Sequence, residues 1–255
     1  NMTDKIIRYA SSKRMFGSWK NNITYVADDG DANLHQRAAE TLASYFSDFQ
    51  PQTQLNKLYI DAFPQEILAS RESALLTREA LISALEEGTF VVDYLGHGNE
   101  SQWAVENILD ATLVNDLTNR FYLPLFLTAT CEFGRYDDPS INTSGAEKLL
   151  LNENGGAIAL LTTTRPVYAS SNELVNEAFH KNLFKTENGS FLRLGDIMRL
   201  TKNESVSGVN NRNFSLLGDP MLQLQYPENK IVIDSINGLN IVDVGSDTLS
   251  ALEKI

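Results

Sequence analysis

The sequence predicts an α/β fold, a mostly parallel sheet covered by helices on both faces, on three observations. Its apolar runs are short and near-continuous, the pattern of strands buried on both sides. They alternate with stretches whose apolar residues recur at helical spacing. The changes of character fall at Gly, Asp, Asn and Pro, which punctuate the chain as turns.

The first strand is Ile23–Ala27, β-branched and stopped by Asp28-Asp29-Gly30. A helix follows from Asn33 or Leu34 to Phe46, built on Leu34, Ala38, Leu42, Ala43 and Phe46, with Asn33 as its N-cap. Leu55–Phe63 reads as a second strand and Ala74–Glu86, closed by Gly88, as a second helix. Thr89–Leu95 is a third strand that ends at Gly96-His97-Gly98, and Val105–Leu117 reads as helical. Pro124–Thr130 is a fourth buried strand running directly into Cys131. A helix near Ser144–Leu151 and the pair Gly155-Gly156 precede a fifth strand, Ala157–Thr163. Helices at about Asn172–Phe184 and Leu192–Thr201 come next, then Leu216–Leu224 carrying LLGDP, with a final strand over Met221–Gln225. Residues 1–20 read as a helical lead-in from a preceding subdomain and 21–228 as the α/β domain. From Lys230 the chain changes to short alternating runs, so residues 229–255 read as the beginning of an immunoglobulin-like β domain.

Composition removes several classes of function. The 255 residues are enough to bury a full core without a covalent staple. With 33 acidic against 21 basic side chains, a net charge of −12, the chain has no electrostatic hold on nucleic acid or an anionic membrane. No apolar stretch reaches the roughly 18–20 residues that span a bilayer, so direct membrane insertion is not expected. The single cysteine excludes an internal disulfide, and without any CxxC spacing structural zinc is excluded too. No cofactor is expected.

The chemistry that remains lies at strand ends, because functional groups on an open parallel sheet gather outside the carboxyl ends of the strands. Three ends carry reactive side chains: Asp28 and Asp29 after the first, His97 after the third and Cys131 after the fourth. A thiol and an imidazole in that relation make a nucleophile and its general base. The Gly98 N–H, and that of Cys131 itself, can face a developing oxyanion. Asp29 or Asp28 is placed to hold the other imidazole nitrogen. The competing reading is a packing cysteine and a loop-capping histidine.

Other signals are weaker. Asp29, Asp31, Asn33 and Glu40 match ligand positions of an EF-hand loop, but Leu34 stands where that loop needs Gly, which leaves only a loosely bound calcium near Asp28–Asp31. His35 and His180 lie on predicted helices among polar neighbours and read as surface side chains, and Asp137-Asp138 reads as a solvated turn. GHGNES lacks the third Gly of a dinucleotide fingerprint, and neither GxxxxGK nor GxSxG occurs. Gly195-Asp196 and Gly218-Asp219 read as turn punctuation.

Two blocks, VVDYLGHGNESQW (Val91–Trp103) and LFLTATCEFGRYDDP (Leu125–Pro139), resemble the His and Cys blocks of the gingipain family of cysteine peptidases. The resemblance runs from about Ile6 to Leu224 and includes Gly155-Gly156, Thr162–Thr164 and Leu217–Pro220. It implies a caspase-like fold, with Cys131 as nucleophile, His97 as its partner, and the Gly98 and Cys131 amides as the oxyanion hole. Alignment of YVADDGDAN makes Asp29 the third catalytic residue, with Asp28 the alternative. Substrate binding falls to Tyr168, where an aromatic lid is implied, and to Glu132. Asp31 lies near the acid of members that cut after basic residues, but Ala32 takes the aligned place, so basic specificity is not implied. Within the family, CEFGRYDDP is most similar to the signal peptidases and sortases of type IX secretion in Bacteroidetes. That likeness implies cargo C-terminal signal domains as protein substrates, other secretion components as partners, transfer of cargo to lipopolysaccharide, and an outer-membrane or cell-surface location. The alternatives are a secreted gingipain-like or clostripain-like degradative protease and a non-catalytic scaffold.

Overall fold

A computed structural model describes residues 1–12, 17–67, 72–140, 142–205, 207–227, 234–236 and 239–240. Six strands form the main sheet: β1 (Asn22–Ala27), β2 (Gln54–Tyr59), β3 (Val91–Leu95), β4 (Leu125–Ala129), β5 (Ala159–Thr163) and β6 (Phe214–Leu217). The helices are α1 (Met2–Ser11), α2 (Gly30–Phe49), α3 (Leu75–Glu87), α4 (Ala111–Asp116), α5 (Gly145–Leu151), α6 (Ala169–Leu183), α7 (Leu194–Glu204) and α8 (Gly208–Asn213). Across the sheet the order is β2-β1-β3-β4-β5-β6, with the first five parallel and β6 antiparallel to β5.

Strand side chains alternate between two cores. Ile23, Tyr25 and Ala27 of β1 pack with Leu42 and Phe46 of α2 and Phe179 of α6 on one face, while Val26 packs with Leu81 and Leu85 of α3 and Leu149 of α5 on the other. Both faces are therefore covered, as the continuous apolar strands predict. Among the described residues no helix is long and apolar enough to cross a membrane.

Several elements differ from expectation. The second strand stops at Tyr59 because Ile60–Ala62 turns into a single 3-10 helix. Residues 103–109 are not helical: Trp103 bridges to Gly98 and to Leu109, and Ala104 and Asn107 take positive φ. The helix there begins only after Asp110, whose carboxylate caps the Leu113 N–H. The last strand is Phe214–Leu217 rather than Met221–Gln225, which holds only a bridge from Gln223 to Arg193. Asn33 does not cap α2 but sits at φ 61 within a left-handed run. The β domain expected over 229–255 lies almost wholly outside the described residues, of which Ser235–Ile236 and Leu239–Asn240 form a short antiparallel ladder.

Helix α1 is fastened through Lys5, 2% exposed, whose Nζ lies within bonding distance of the carbonyls of Leu149 (3.3 Å), Leu150 (2.9 Å), Asn152 (3.0 Å) and Gly155 (2.8 Å). The amine on the last carbonyls of α5 donates to acceptors the helix cannot satisfy itself, and its burial lowers the Lys5 pKa to about 7. His180, expected at the surface, is instead fully buried: it shares the face of α6 that carries Asn176, Phe179 and Leu183 inward. Its Nε2 lies 3.5 Å from the buried Asp93 carboxylate of β3, and its Nδ1–H donates to the Asn176 carbonyl at 2.8 Å. Burial drives Asp93 well above the usual carboxylate range and His180 down to about 4, so both are neutral near pH 7.

Two predictions follow from this packing. Lys5→Met leaves the Leu150, Asn152 and Gly155 carbonyls without this donor and is expected to cost about 2–3 kcal/mol, read as a lower melting temperature with faster amide exchange in α1. Asp93 keeps a proton that the unfolded chain releases above about pH 4, which costs stability as pH rises. Asp93→Asn is therefore expected to raise the melting temperature by about 3–6 °C at pH 8 and to do little near pH 4. A uniform drop at both pH values would refute the neutral assignment.

Candidate active site

The strand order reverses between β1 and β3, the two neighbours that lead away in opposite directions across the sheet. A crevice outside the carboxyl ends of the strands forms at such a switch point. Ala27 pairs with Leu95 and Leu95 with Ala129, so Asp28 follows the first of these rungs, and His97 and Cys131 stand each two residues past the same one. Sheet register alone brings the three side chains to one edge.

Asp28 is 3% exposed and accepts three N–H bonds: from the His97 backbone at 2.7 Å, from His97 Nδ1 at 2.7 Å and from the Gly30 backbone at 3.0 Å. Burial pushes its pKa up, but these bonds and the nearby imidazole outweigh that and hold the carboxyl below its ordinary value. A carboxylate only accepts, so Nδ1 carries the ring proton and neutral His97 leaves Nε2 bare. Asp31 lies beyond: its Oδ2 is 3.4 Å from His97 Nε2 and 3.7 Å from His35 Nε2. It is carried there by a left-handed run, Asp31, Ala32 and Asn33 at φ 53, 53 and 61. For residues with a Cβ, each such conformation costs about 1–3 kcal/mol and persists only where surrounding structure dictates it.

The loop after β3 is anchored by Trp103, fully buried and stacked on Tyr94 at 4.2 Å, whose hydroxyl donates to the His97 carbonyl at 2.5 Å. Only glycine fits at position 98, where a Cβ would come 2.6 Å from Thr130 Oγ1 and 2.9 Å from the Gln102 carbonyl. The His97 loop therefore lies directly against the residue before Cys131. On the other side, Thr163 donates its hydroxyl to the Thr130 carbonyl, and Asn172 of α6 donates to the Ala129 carbonyl at 3.1 Å. Cys131 is half-buried, and its thiol donates to the Val167 carbonyl at 3.7 Å rather than to His97. Among the described residues, neither the Gly98 nor the Cys131 amide is donated to another group.

The expected residues thus divide. Cys131, His97 and Gly98 lie past the same rung at one edge of the sheet, and it is Asp28, not Asp29, that holds the imidazole. Asp29 accepts from Gln65 Nε2 at 2.6 Å, and burial first, then the neighbouring Asp28 charge, raise its pKa against that bond. Tyr168, 74% exposed, precedes α6 and stands in solvent. Glu132, at φ 59, pairs with Arg135 at 2.7 Å, and Arg135 also reaches Glu100 and Asp138. Asp137 is not merely solvated but forms a two-bond pair with Arg165.

His35, like His180, was expected at the surface and is not there. It is buried, with its ring edge-on to His97 at 5.0 Å. Burial, foremost, lowers its pKa. The signal was available: His35, Ala39, Leu42, Ala43 and Phe46 share one helical stripe, which differs from the expected stripe only in its first turn, where His35 and Ala39 turn inward in place of the exposed Leu34 and half-buried Ala38. Among the described residues, two groups have ligand atoms close enough to share a cation, Asp28 with His35 and His97, and Asp28 with Asp29 and Glu106. Both depend on Asp28, whose oxygens are already taken by N–H donors, and neither supplies the six to eight oxygens calcium takes.

Residues 1–225 match the family described as Peptidase family C25. The fold is similar to that of the Arg-specific cysteine proteinase gingipain R (RgpB), with a TM-score of 0.70 and 19% identity over 88% of this chain and 52% of that one. It is similar also to the complex of Porphyromonas gingivalis RgpB pro- and mature domains, with a TM-score of 0.67 and 19% identity over 88% and 53%. The Saccharomyces cerevisiae separase–securin complex follows at a TM-score of 0.54 and 14% identity, over 85% of this chain and 13% of that one. The chain thus spans about half the length of the gingipain structures it matches. No curated protein matches the sequence. The mostly parallel, helix-flanked sheet is the gingipain caspase-like fold, and the chain belongs to peptidase family C25.

Proposed function

We propose that this chain carries the catalytic unit of a cysteine endopeptidase, with Cys131 as nucleophile, His97 as general base and then general acid, and Asp28 fixing the imidazole. The observation that carries the reading is the buried Asp28 carboxylate on His97 Nδ1, at the same edge and register as Cys131. That bond leaves Nε2 as the acceptor for the thiol proton. The thiol has to rotate from the Val167 carbonyl toward the ring, a tightening that apo sites commonly require on binding substrate.

The thiolate sulfur then attacks the scissile carbonyl carbon while the oxyanion meets the Gly98 and Cys131 N–H groups. The imidazolium, with Asp28 at Nδ1–H and Asp31 beside Nε2–H, returns its proton to the leaving amine as the C–N bond breaks. A thioester on Cys131 remains. Water, or an amine where water is excluded, attacks it and restores the thiol.

The finer reading is a PorU-like signal peptidase and sortase, supported by the similarity of CEFGRYDDP after the nucleophile. Its substrates are cargo bearing C-terminal signal domains, delivered by type IX secretion at the outer membrane, and its acceptor is an amine on lipopolysaccharide. Cleavage of such a cargo together with partition of the thioester to an added amine supports this reading. Simple hydrolysis with efficient turnover of general peptides bearing basic residues favours a degradative protease, and full fold without thiol reactivity favours a scaffold.

The central test compares variants on one cleavable cargo or peptide. Cys131→Ala is expected to abolish cleavage. Asp28→Asn should lower kcat/KM by about 10²–10⁴ by holding the wrong tautomer, whereas Asp29→Asn should remain within about twofold of the wild type. Full processing by Cys131→Ala, or an inverted order of the two aspartates, would sink the assignment.

A further inference from the structure

Past the last paired rung, Leu95 with Ala129, the strands no longer guide the chain, so His97 and Cys131 stand on loops whose final approach depends on contacts between the loops themselves. Those contacts matter because the Cys131 thiol still has to leave the Val167 carbonyl for the imidazole. A misplacement of about 1 Å at such a pair can cost about 10²-fold in rate. Arg135 is where charge joins the two loops. Its Nη1 lies 3.2 Å from Oε1 of Glu100, on the loop after His97, and 2.7 Å from Oε1 of Glu132, the residue next to Cys131. Its Nη2 lies 2.9 Å from Asp138 Oδ2. Among the described residues no other ion pair joins these two loops.

The contact acts directly beside the nucleophile. Glu132 holds a left-handed φ of 59, which a residue with a Cβ keeps only where its surroundings impose it. Arg135 imposes it twice, through the guanidinium and through its backbone N–H, which donates to the Glu132 carbonyl at 2.9 Å. The outer parts of both loops are fixed by other means: at the start of α5, the Gly145 N–H donates to the Glu100 carbonyl at 2.7 Å and the Ala146 N–H to the Phe133 carbonyl at 3.1 Å. What remains for Arg135 is the inner part, and there the sign of the force is decisive. Glu100 and Glu132 share one nitrogen, so with the cation in place they are drawn together, and without it two carboxylates repel each other across the gap between the loops. All three side chains are partly exposed, so these pairs add little to global stability. Their charge sets geometry more than it sets the melting temperature.

We propose that Arg135 is a positioning residue for the Cys131 and His97 pair: its guanidinium clamps the loop after His97 to the loop after Cys131, holds Glu132 in its left-handed turn, and so sets the approach of the imidazole to the sulfur. The role of that pair rests on the peptidase reading, whereas the clamp rests on the ion pairs, and the two can be tested apart.

Each variant is measured for kcat and KM on one cleaved peptide, and for alkylation of Cys131, the only cysteine, by iodoacetamide from about pH 5 to 9, with His97→Ala as the reference for an unassisted thiol. Arg135→Met, which keeps an aliphatic stem, is expected to lower kcat by about tenfold or more with KM within about twofold, and to move the alkylation profile toward that of His97→Ala. Adding Glu100→Gln removes the repulsion, so the double variant should recover to within about twofold of Glu100→Gln alone, itself lowered only about threefold. A residue that merely filled space would show no such recovery. Asp138→Asn touches the same guanidinium without crossing to the other loop and should stay within about twofold of the wild type. Where Arg135→Met does not fold, the loss in Glu100→Gln and its partial shift in alkylation carry the test. An unchanged kcat and alkylation profile in Arg135→Met or Glu100→Gln, a double variant worse than Arg135→Met, or an equal loss in Asp138→Asn overturns the clamp. Variants that follow the expected order in alkylation while the wild type cleaves nothing leave the clamp standing and overturn the peptidase reading instead. A wild-type alkylation profile identical to that of His97→Ala overturns both.

Discussion

Asp28 is a carboxylate buried at the point where the strand order reverses, and its charge survives there only because three N–H groups point at it. One comes from Gly30, at the start of α2, and two come from His97, just past β3. The same pair of oxygens thus ties the loop after β1 to the loop after β3 and sets the tautomer of the imidazole. A buried charge without such partners would take up a proton or pull water in. Register then does the rest. Because β1, β3 and β4 are parallel and in step, fixing His97 against Asp28 also fixes its relation to Cys131. The glycines on either side of His97 serve this closeness: at Gly96 a Cβ would overlap the Asp28 side chain, and at Gly98 it would strike Thr130.

The strands were legible because burial on both faces writes itself as apolar runs, and each of the five parallel strands begins and ends within a few residues of its expected place. Position at a strand end was legible for the same reason, which is why Cys131 and His97 could be placed at one edge of the sheet from the sequence. What depends on atoms rather than on elements was not. Two adjacent aspartates after one strand are equivalent to any periodicity argument, and only the backbone direction at the turn decides that Asp28 meets His97 while Asp29 meets Gln65. The error over His35 and His180 has a different source. Polar neighbours in sequence suggested solvent, yet on a helix the neighbours that matter lie three and four residues away, and both histidines share a stripe with Phe and Leu. The stretch after Trp103 misled because its apolar residues serve a pinned loop, not a helix face.

Two kinds of buried polarity coexist in this fold. In the core, Asp93 and His180 face each other at 3.5 Å as neutral groups, a local cost that the surrounding apolar packing offsets. At the sheet edge, Asp28 stays charged because donors converge on it. The contrast lies in donors rather than in depth, since both carboxylates are shielded from water. Donor geometry, not burial, therefore separates an inert acid from one that orients a base.

The proposed catalytic groups and the walls of the cavity between α2 and α6 come from different elements. Strand ends supply Asp28, His97 and Cys131, whose positions inherit the rigidity of the paired sheet, while α2 and α6 supply His35, Ala38 and Asn172. The two sets meet at Leu95 and Ala129, and Asn172 is bonded to the latter's carbonyl. Residues on the starts of α2 and α6 can change the shape and polarity of the cavity without altering the register that aligns the nucleophile.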